Sequence, residues 1–180
     1  MITDYKKLIP KRYWDVTYEN DVHPDLKEKV MAHLKKGEGT GLYIHGGTGV
    51  GKTFLACALV KHLNEKFRVK FHVVGELFDE IRAEYSNKSD NEEDLFEELM
   101  NFDKGFLFLD DLGAEKLTDW VRERLYLLIN KKYNDMTPVI FTSNCDLTTL
   151  QEMVGDRIVS RIVGMTGIIK LTGIDNRIQK

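Results

Sequence analysis

The chain has 180 residues, 42% of them hydrophobic and 31% charged, with only 3 prolines; this is the balance of one well-filled folded domain rather than a disordered segment. A formal net charge of -3 excludes a protein that grips nucleic acid by bulk electrostatics, so any such contact must be local, with Lys6, Lys7, Lys11 and Arg12 near the N-terminus as a candidate. Cys57 and Cys145 belong to no CxxC pair and no Cys/His cluster, which excludes a disulfide scaffold and a structural zinc site and leaves free buried thiols.

The opening residues MITDYKKLIPKRYW lack the apolar core of a signal peptide, and no run approaches the length of a membrane span, so the expectation is a cytoplasmic protein with no membrane partner. Residues 1–20 read as an N-terminal arm or linker, extended up to about Glu19: Pro10 discourages helix, and Tyr13, Trp14 and Tyr18 are scattered without a helical stripe. These aromatics need a surface to cover. Residues 21–180 read as one domain. Leu26, Val30, Met31 and Leu34 recur at helical spacing up to the glycines Gly37, Gly39 and Gly41.

Gly41 to His45 is a short apolar strand that runs into a glycine-rich loop, and Phe54, Leu55, Ala58, Leu59 and Leu63 give the following segment one apolar helical face. Val69 to Val74 predicts a second strand, followed by a helix through Leu77, Phe78, Ile81 and Tyr85. The polar stretch Ser86 to Asp94 reads as a surface loop, and the next helix packs through Leu95, Phe96, Leu99 and Met100. Phe106 to Leu109 is a continuous apolar run ending in acid, the pattern of a central strand buried on both faces.

Thr118 is placed to cap a helix whose face includes Val121, Leu125, Leu128 and Ile129. Pro138 to Thr142 predicts a fourth strand, Asp146 to Val154 a helix capped by Asp146 and stopped by Gly155, and Ile168 to Leu171 a fifth strand. Alternating strands and helices imply an α/β fold with a five-stranded parallel sheet covered on both faces.

The pattern GxxxxGKS/T is filled by Gly46, Gly51, Lys52 and Thr53 between a strand and a helix. Such a loop converges backbone N–H groups on phosphates, and the helix N-terminus adds partial positive charge. Lys52 is then placed to reach the β- and γ-phosphates, and the Thr53 hydroxyl to ligate Mg2+. Gly46, Gly47, Thr48, Gly49, Val50, Gly51, Lys52, Thr53 and Phe54 are the candidate nucleotide-binding residues. Asp110 and Asp111 end the third strand. Asp110 suits holding magnesium through water, and Asp111 suits orientation or deprotonation of a hydrolytic water.

Asn144 ends the fourth strand at the same sheet edge and is the candidate for fixing the attacking water or touching the γ-phosphate. Arg157 and Arg161 are four residues apart, on one face if the segment is helical, and an exposed arginine there can serve a neighbouring copy's γ-phosphate.

Taken in order, GGTGVGKT, FLFLDDLGAEKLTDWVRERLY, VIFTSN and GDRIVSRIVG resemble the AAA+ ATPases of the bacterial helicase-loader type (DnaC/DnaI-like), with the IstB-like transposition helper ATPases close by. The resemblance implies a three-layer P-loop NTPase of the AAA+/ASCE type, here without room for a full helical lid. It implies ATP or ADP with Mg2+, Asp110 and Asp111 in the Walker B positions and Asn144 as sensor 1. It places Arg157 or Arg161 in the arginine-finger region and likens Arg177 to a second sensor arginine. The partners it implies are a replicative helicase, single-stranded DNA through weak or local contact, and further copies through the ATP site.

Loaders of this type carry a separate N-terminal domain that grips the helicase, and only a short segment precedes the phosphate loop here. The expectation is therefore a loader ATPase core or a short phage- or element-type relative. A transposition helper and a small P-loop kinase are the alternative readings.

Overall fold

A computed structural model describes residues 4–35, 39–87, 94–114 and 118–173. Five parallel strands form its centre: β1 (Gly41–His45), β2 (Val69–Val73), β3 (Phe106–Asp110), β4 (Val139–Ser143) and β5 (Thr166–Lys170), in the order β2-β3-β4-β1-β5. The helices are α1 (Tyr18–Asp21), α2 (Pro24–Leu34), α3 (Lys52–Asn64), α4 (Val74–Asn87), α5 (Leu95–Met100), α6 (Asp119–Asn134), α7 (Leu147–Val154) and α8 (Asp156–Met165). No helix among the described residues is long and apolar enough to cross a membrane.

Strand alternation decides which helices each side chain meets. Leu42 and Ile44 of β1, with Phe108 and Ile140, pack on the side of α2 and α3, whereas Tyr43, Leu107, Leu109, Val139 and Phe141 pack on the side of α4 to α8. Both faces are covered, so the central strands carry apolar side chains on consecutive residues until their C-terminal ends, and that is why β1, β3 and β4 read as mostly apolar runs. β5 lies at the edge and instead alternates, with Ile169 buried and Ile168 and Lys170 exposed. Its observed start at Thr166 precedes the expected Ile168. β2 stops at Val73, since Val73 is the last residue paired with β3 and Val74 opens α4.

Capping follows the sequence expectations closely. The Thr118 hydroxyl accepts from Val121 N at the start of α6, and the Asp146 carboxylate accepts from Thr149 N at the start of α7. Of the two cysteines, Cys57 is buried and Cys145 is only partly so.

The expected extended arm is a correction. Residues 5–7 and 11–13 form single tight turns, Pro10 introduces the second of them, and α1 follows. Pro10 keeps φ at -58°, which enters a turn as readily as it prolongs an extended strand. The Trp14 indole donates to Ile9 O, Lys61 of α3 donates to Trp14 O, and Ile9 and Tyr18 are 4% exposed. The scattered aromatics thus cover α3 through turns, which leave no 3.6-residue stripe in the sequence. The strand order places β4 between β1 and β3, so the C-terminal ends of these three strands stand side by side.

Candidate nucleotide site

The loop from Gly46 to Thr53 links β1 to α3. At Gly46 the Leu171 carbonyl approaches so closely that a Cβ would lie 2.2 Å from its oxygen, and at Gly51 a φ of 99° turns the chain into α3. Both positions require glycine. Lys52 opens α3 with its side chain folded back into the loop: Nζ donates to Gly46 O at 3.0 Å, Gly47 O at 2.7 Å and Asn144 Oδ1 at 2.7 Å.

Asn144 in turn donates through Nδ2 to Asp111 Oδ1 at 3.1 Å. The ammonium, the amide and the carboxylate therefore form one chain across three strand ends. It exists because His45 pairs with Ser143 across β1 and β4, which brings Gly46 and Asn144 together just beyond the ladder.

Asp110 is 5% exposed and held on both oxygens. Thr142 Oγ1 donates to Oδ1 at 2.6 Å, and Thr53 Oγ1 donates to Oδ2 at 3.1 Å. Burial raises the Asp110 pKa above the usual carboxylate range, the Thr142 and Thr53 hydroxyls oppose that rise, Asp111 adds to it and Lys52 opposes it. Asp111 itself is a non-glycine residue at φ 62°, and its N–H donates to Thr142 Oγ1 at 2.8 Å. A residue other than glycine at positive φ is strained, and such backbone persists where surrounding bonds over-determine it.

The Thr53 hydroxyl and the Asp110 carboxylate are hard oxygen donors on adjacent sides of the loop mouth, the chemistry that suits Mg2+. No cluster of three or more His, Cys, Asp or Glu among the described residues could hold a metal. Magnesium is commonly held by one or two carboxylates together with phosphate oxygens and water, and Asp110 offers one such carboxylate.

A cavity of about 860 Å3 opens over this surface. It is lined by Thr48 to Leu55, Asp111 and Asn144, and also by Arg12, Tyr13, Val16, Val22, His23 and Leu26 from the segment before β1. The arm side of this cavity is what motif reading missed. Its only signal was the group of aromatics without a helical stripe, which says that a surface is covered but not which one.

Arg157 and Arg161 do share α8, as their spacing implied, and neither lines the cavity. Arg157 is exposed. Arg161 is partly buried: Nε donates to Asn130 Oδ1, Nη1 donates to Arg157 O at 3.1 Å, and the guanidinium lies 5.2 Å from the Tyr126 ring centre. Arg177 lies outside the described residues, as do 88–93 of the expected polar loop and Glu115 of the DDLGAE stretch.

The family model for IstB-like ATP binding protein matches residues 15–179. The replicative helicase loader DnaI of Bacillus subtilis (strain 168) is 31% identical over 164 residues, covering 82% of this chain and 51% of that protein, so the chain spans about half the length of this relative. Among solved structures, the DnaC helicase loader superposes with a TM-score of 0.78 at 28% identity, covering 91% of this chain and 100% of that one. A structure of DnaI gives 0.74 at 26% identity, covering 94% of each chain.

Proposed function

The chain belongs to the IstB-like ATP binding protein family, and from that premise we propose that it is an ATP-hydrolysing switch of DNA replication that delivers a replicative helicase. The observation that carries the proposal is the hydrogen-bonded chain Lys52–Asn144–Asp111 at the mouth of the phosphate loop, beside the Thr53–Asp110 pair. A loop built only to bind nucleotide has no need of a carboxylate linked to the phosphate-binding lysine.

In this reading the amides of Gly46 to Thr53 and the N-terminus of α3 hold the phosphates, and Lys52 exchanges its carbonyl acceptors for β- and γ-phosphate oxygens. Phe54 and the arm residues enclose the rest of the nucleotide. Thr53 and Asp110 hold Mg2+, which when bound neutralises charge developing on the phosphates. Asp111 orients the attacking water and accepts its proton, and Asn144 holds that water in line with the γ-phosphate.

Arg157, exposed on α8, is the better placed of the two arginines to reach a neighbouring copy's nucleotide, while Arg161 ties α8 to α6. An isolated copy then turns over slowly, because a supplied arginine finger accelerates phosphoryl transfer by about 10³ to 10⁵ in other systems. Arg177 as a second sensor belongs to the same proposal, as do local contact with single-stranded DNA and a cytoplasmic site of action. The helicase as partner is supported by the likeness to DnaI and DnaC, both described as helicase loaders.

The test is a nucleotide-dependent pull-down with the host's replicative helicase, run beside a phosphate-release assay, for the wild type and Lys52→Ala. Helicase capture that depends on ATP and on Lys52 supports the proposal. Capture of a transposase in its place assigns the transposition-helper reading, and phosphate appearing on a small-molecule acceptor assigns a kinase.

A further inference from the structure

One hydroxyl touches both acids of the site. Thr142 lies in β4, is 1% exposed, and is paired with Ile44 of β1. Its Oγ1 donates to Asp110 Oδ1 at 2.6 Å and accepts from the Asp111 N–H at 2.8 Å. Its own carbonyl accepts from Leu112 N at 2.8 Å.

These bonds begin where the sheet ends. The β3–β4 register runs through Leu109 and Phe141, and Asp110 is paired on its other side with Val73 of β2. Past Leu109 the ladder between β3 and β4 gives way to side-chain bonds, in which Thr142 holds Asp110 and the Asp111 N–H while Ser143 Oγ donates to Leu112 O at 2.6 Å. Two consequences follow from the geometry. With Oδ1 occupied by Thr142, Asp110 presents Oδ2 toward Thr53. With its N–H held by the same hydroxyl, Asp111 keeps its left-handed turn at φ 62° and its carboxylate within reach of Asn144.

We propose that Thr142 is a positioning residue that sets both carboxylates at once, fixing which oxygen Asp110 offers to magnesium and holding the strained backbone that aims Asp111. This rests on the reading of the site as a magnesium-dependent ATPase. Groups that orient metal ligands through a second hydrogen bond typically govern metal affinity or activity by about 10- to 100-fold. A β-branched residue suits the strand position in either case, so threonine and valine differ here only by the hydroxyl.

The experiment compares Thr142→Val with Thr142→Ser. Affinity for a fluorescent ADP analogue is measured in EDTA and across a Mg2+ titration, and kcat is measured by phosphate release. For Thr142→Val the expected result is unchanged affinity in EDTA, a Mg2+ midpoint raised about tenfold, and a kcat lowered about 10- to 100-fold. Thr142→Ser restores both toward the wild type. If Thr142→Val does not fold, Thr142→Cys takes its place, because a thiol keeps the volume and is only a weak donor.

An unchanged Mg2+ midpoint together with unchanged kcat overturns the proposal. So does a serine variant as impaired as valine, since the hydroxyl would then not be the operative group. If the wild type releases no phosphate, the ATPase reading fails instead, and the Mg2+ dependence of ADP binding still decides the role of Thr142.

Discussion

Lys52 and Asn144 are 92 positions apart in the chain and 2.7 Å apart in space, joined by a hydrogen bond from the ammonium to the amide oxygen. The amide has a second end, Nδ2, which reaches Asp111. A single planar group therefore bridges Lys52 and Asp111, so the positions of the ammonium and the carboxylate are coupled through one amide.

Lys52→Ala removes the cation that the phosphates would meet. Hydrogen bonds to charged groups contribute about 1.5–3 kcal/mol, so ATP and ADP affinity should fall by roughly 10- to 100-fold. The rise in melting temperature at a fixed nucleotide concentration should shrink with it, by the equivalent of about 1.4–2.7 kcal/mol of stabilisation, because a ligand stabilises only as far as it binds. A variant that keeps the full nucleotide-induced shift would show that the loop's amides alone hold the phosphates.

Tyr13→Ala tests the arm. Tyr13 and Val16 line the cavity that opens over the phosphate loop, and in the proposed reading they meet a part of the nucleotide that does not react. Such contacts are equal in ground and transition state and appear in KM rather than kcat. Removing an aromatic contact worth about 0.5–1.5 kcal/mol should weaken ATP and ADP alike by several-fold at constant kcat. A fall in kcat with KM unchanged would place the arm in the chemistry rather than in binding.

The contrast between Tyr13 and Lys52 shows which parts of the site are legible in a sequence. Lys52, Thr53, Asp110 and Asn144 announce themselves because each ends or begins an element whose apolar run is unmistakable, and a parallel sheet sends all those ends to one edge. Tyr13 has no such frame. It is placed by turns at Lys11–Tyr13 and by packing on α3, and neither leaves a period in the sequence. Thr142 was visible as the polar residue ending an apolar strand, but a shared hydroxyl depends on strand order, which local patterns do not reveal. The fold was readable for the same reason the phosphate loop was: β1, β3 and β4 are buried on both faces.

Arg157 and Arg161 should separate cleanly. Arg161 is bound to Asn130 and stacked over Tyr126, so Arg161→Ala should lower stability by about 1–2 kcal/mol in urea denaturation. Arg157→Ala should leave the denaturation midpoint in place and slow ATP turnover only at protein concentrations where copies associate. Mixing Arg157→Ala with Asp111→Asn provides the check: a finger acting across an interface restores turnover in the mixture. If Arg157→Ala falls below the wild type by the same factor at high dilution as when concentrated, its arginine acts within its own chain, and if it matches the wild type at both, the arginine does not act at all.

Lys132 gives the fold a pH dependence of its own. It is fully buried in α6, and its ammonium donates to Met100 O and Phe102 O where α5 ends. Burial is the main cause that pushes its pKa down to about 8; Asp135 and Asp103 oppose the shift, and Lys131 and Lys70 add to it. In the unfolded chain a lysine titrates near 10.4. Between these values the unfolded state binds more protons than the folded one, so unfolding free energy rises with pH from about 8 to 10.4, by at most about 1.4 kcal/mol per unit. Below that window both states carry the charge and the folded one bears its full burial cost; above it both are neutral and that cost is gone. Tyrosines and other lysines titrate in the same range, so the quantity to measure is the stability difference between wild type and Lys132→Met at pH 7, 8.5 and 9.5. That difference should shift steadily in favour of the wild type as pH rises. A difference that stays flat would mean that the two carbonyls solvate the ammonium as well as water does, and that burial at this site costs the charge nothing.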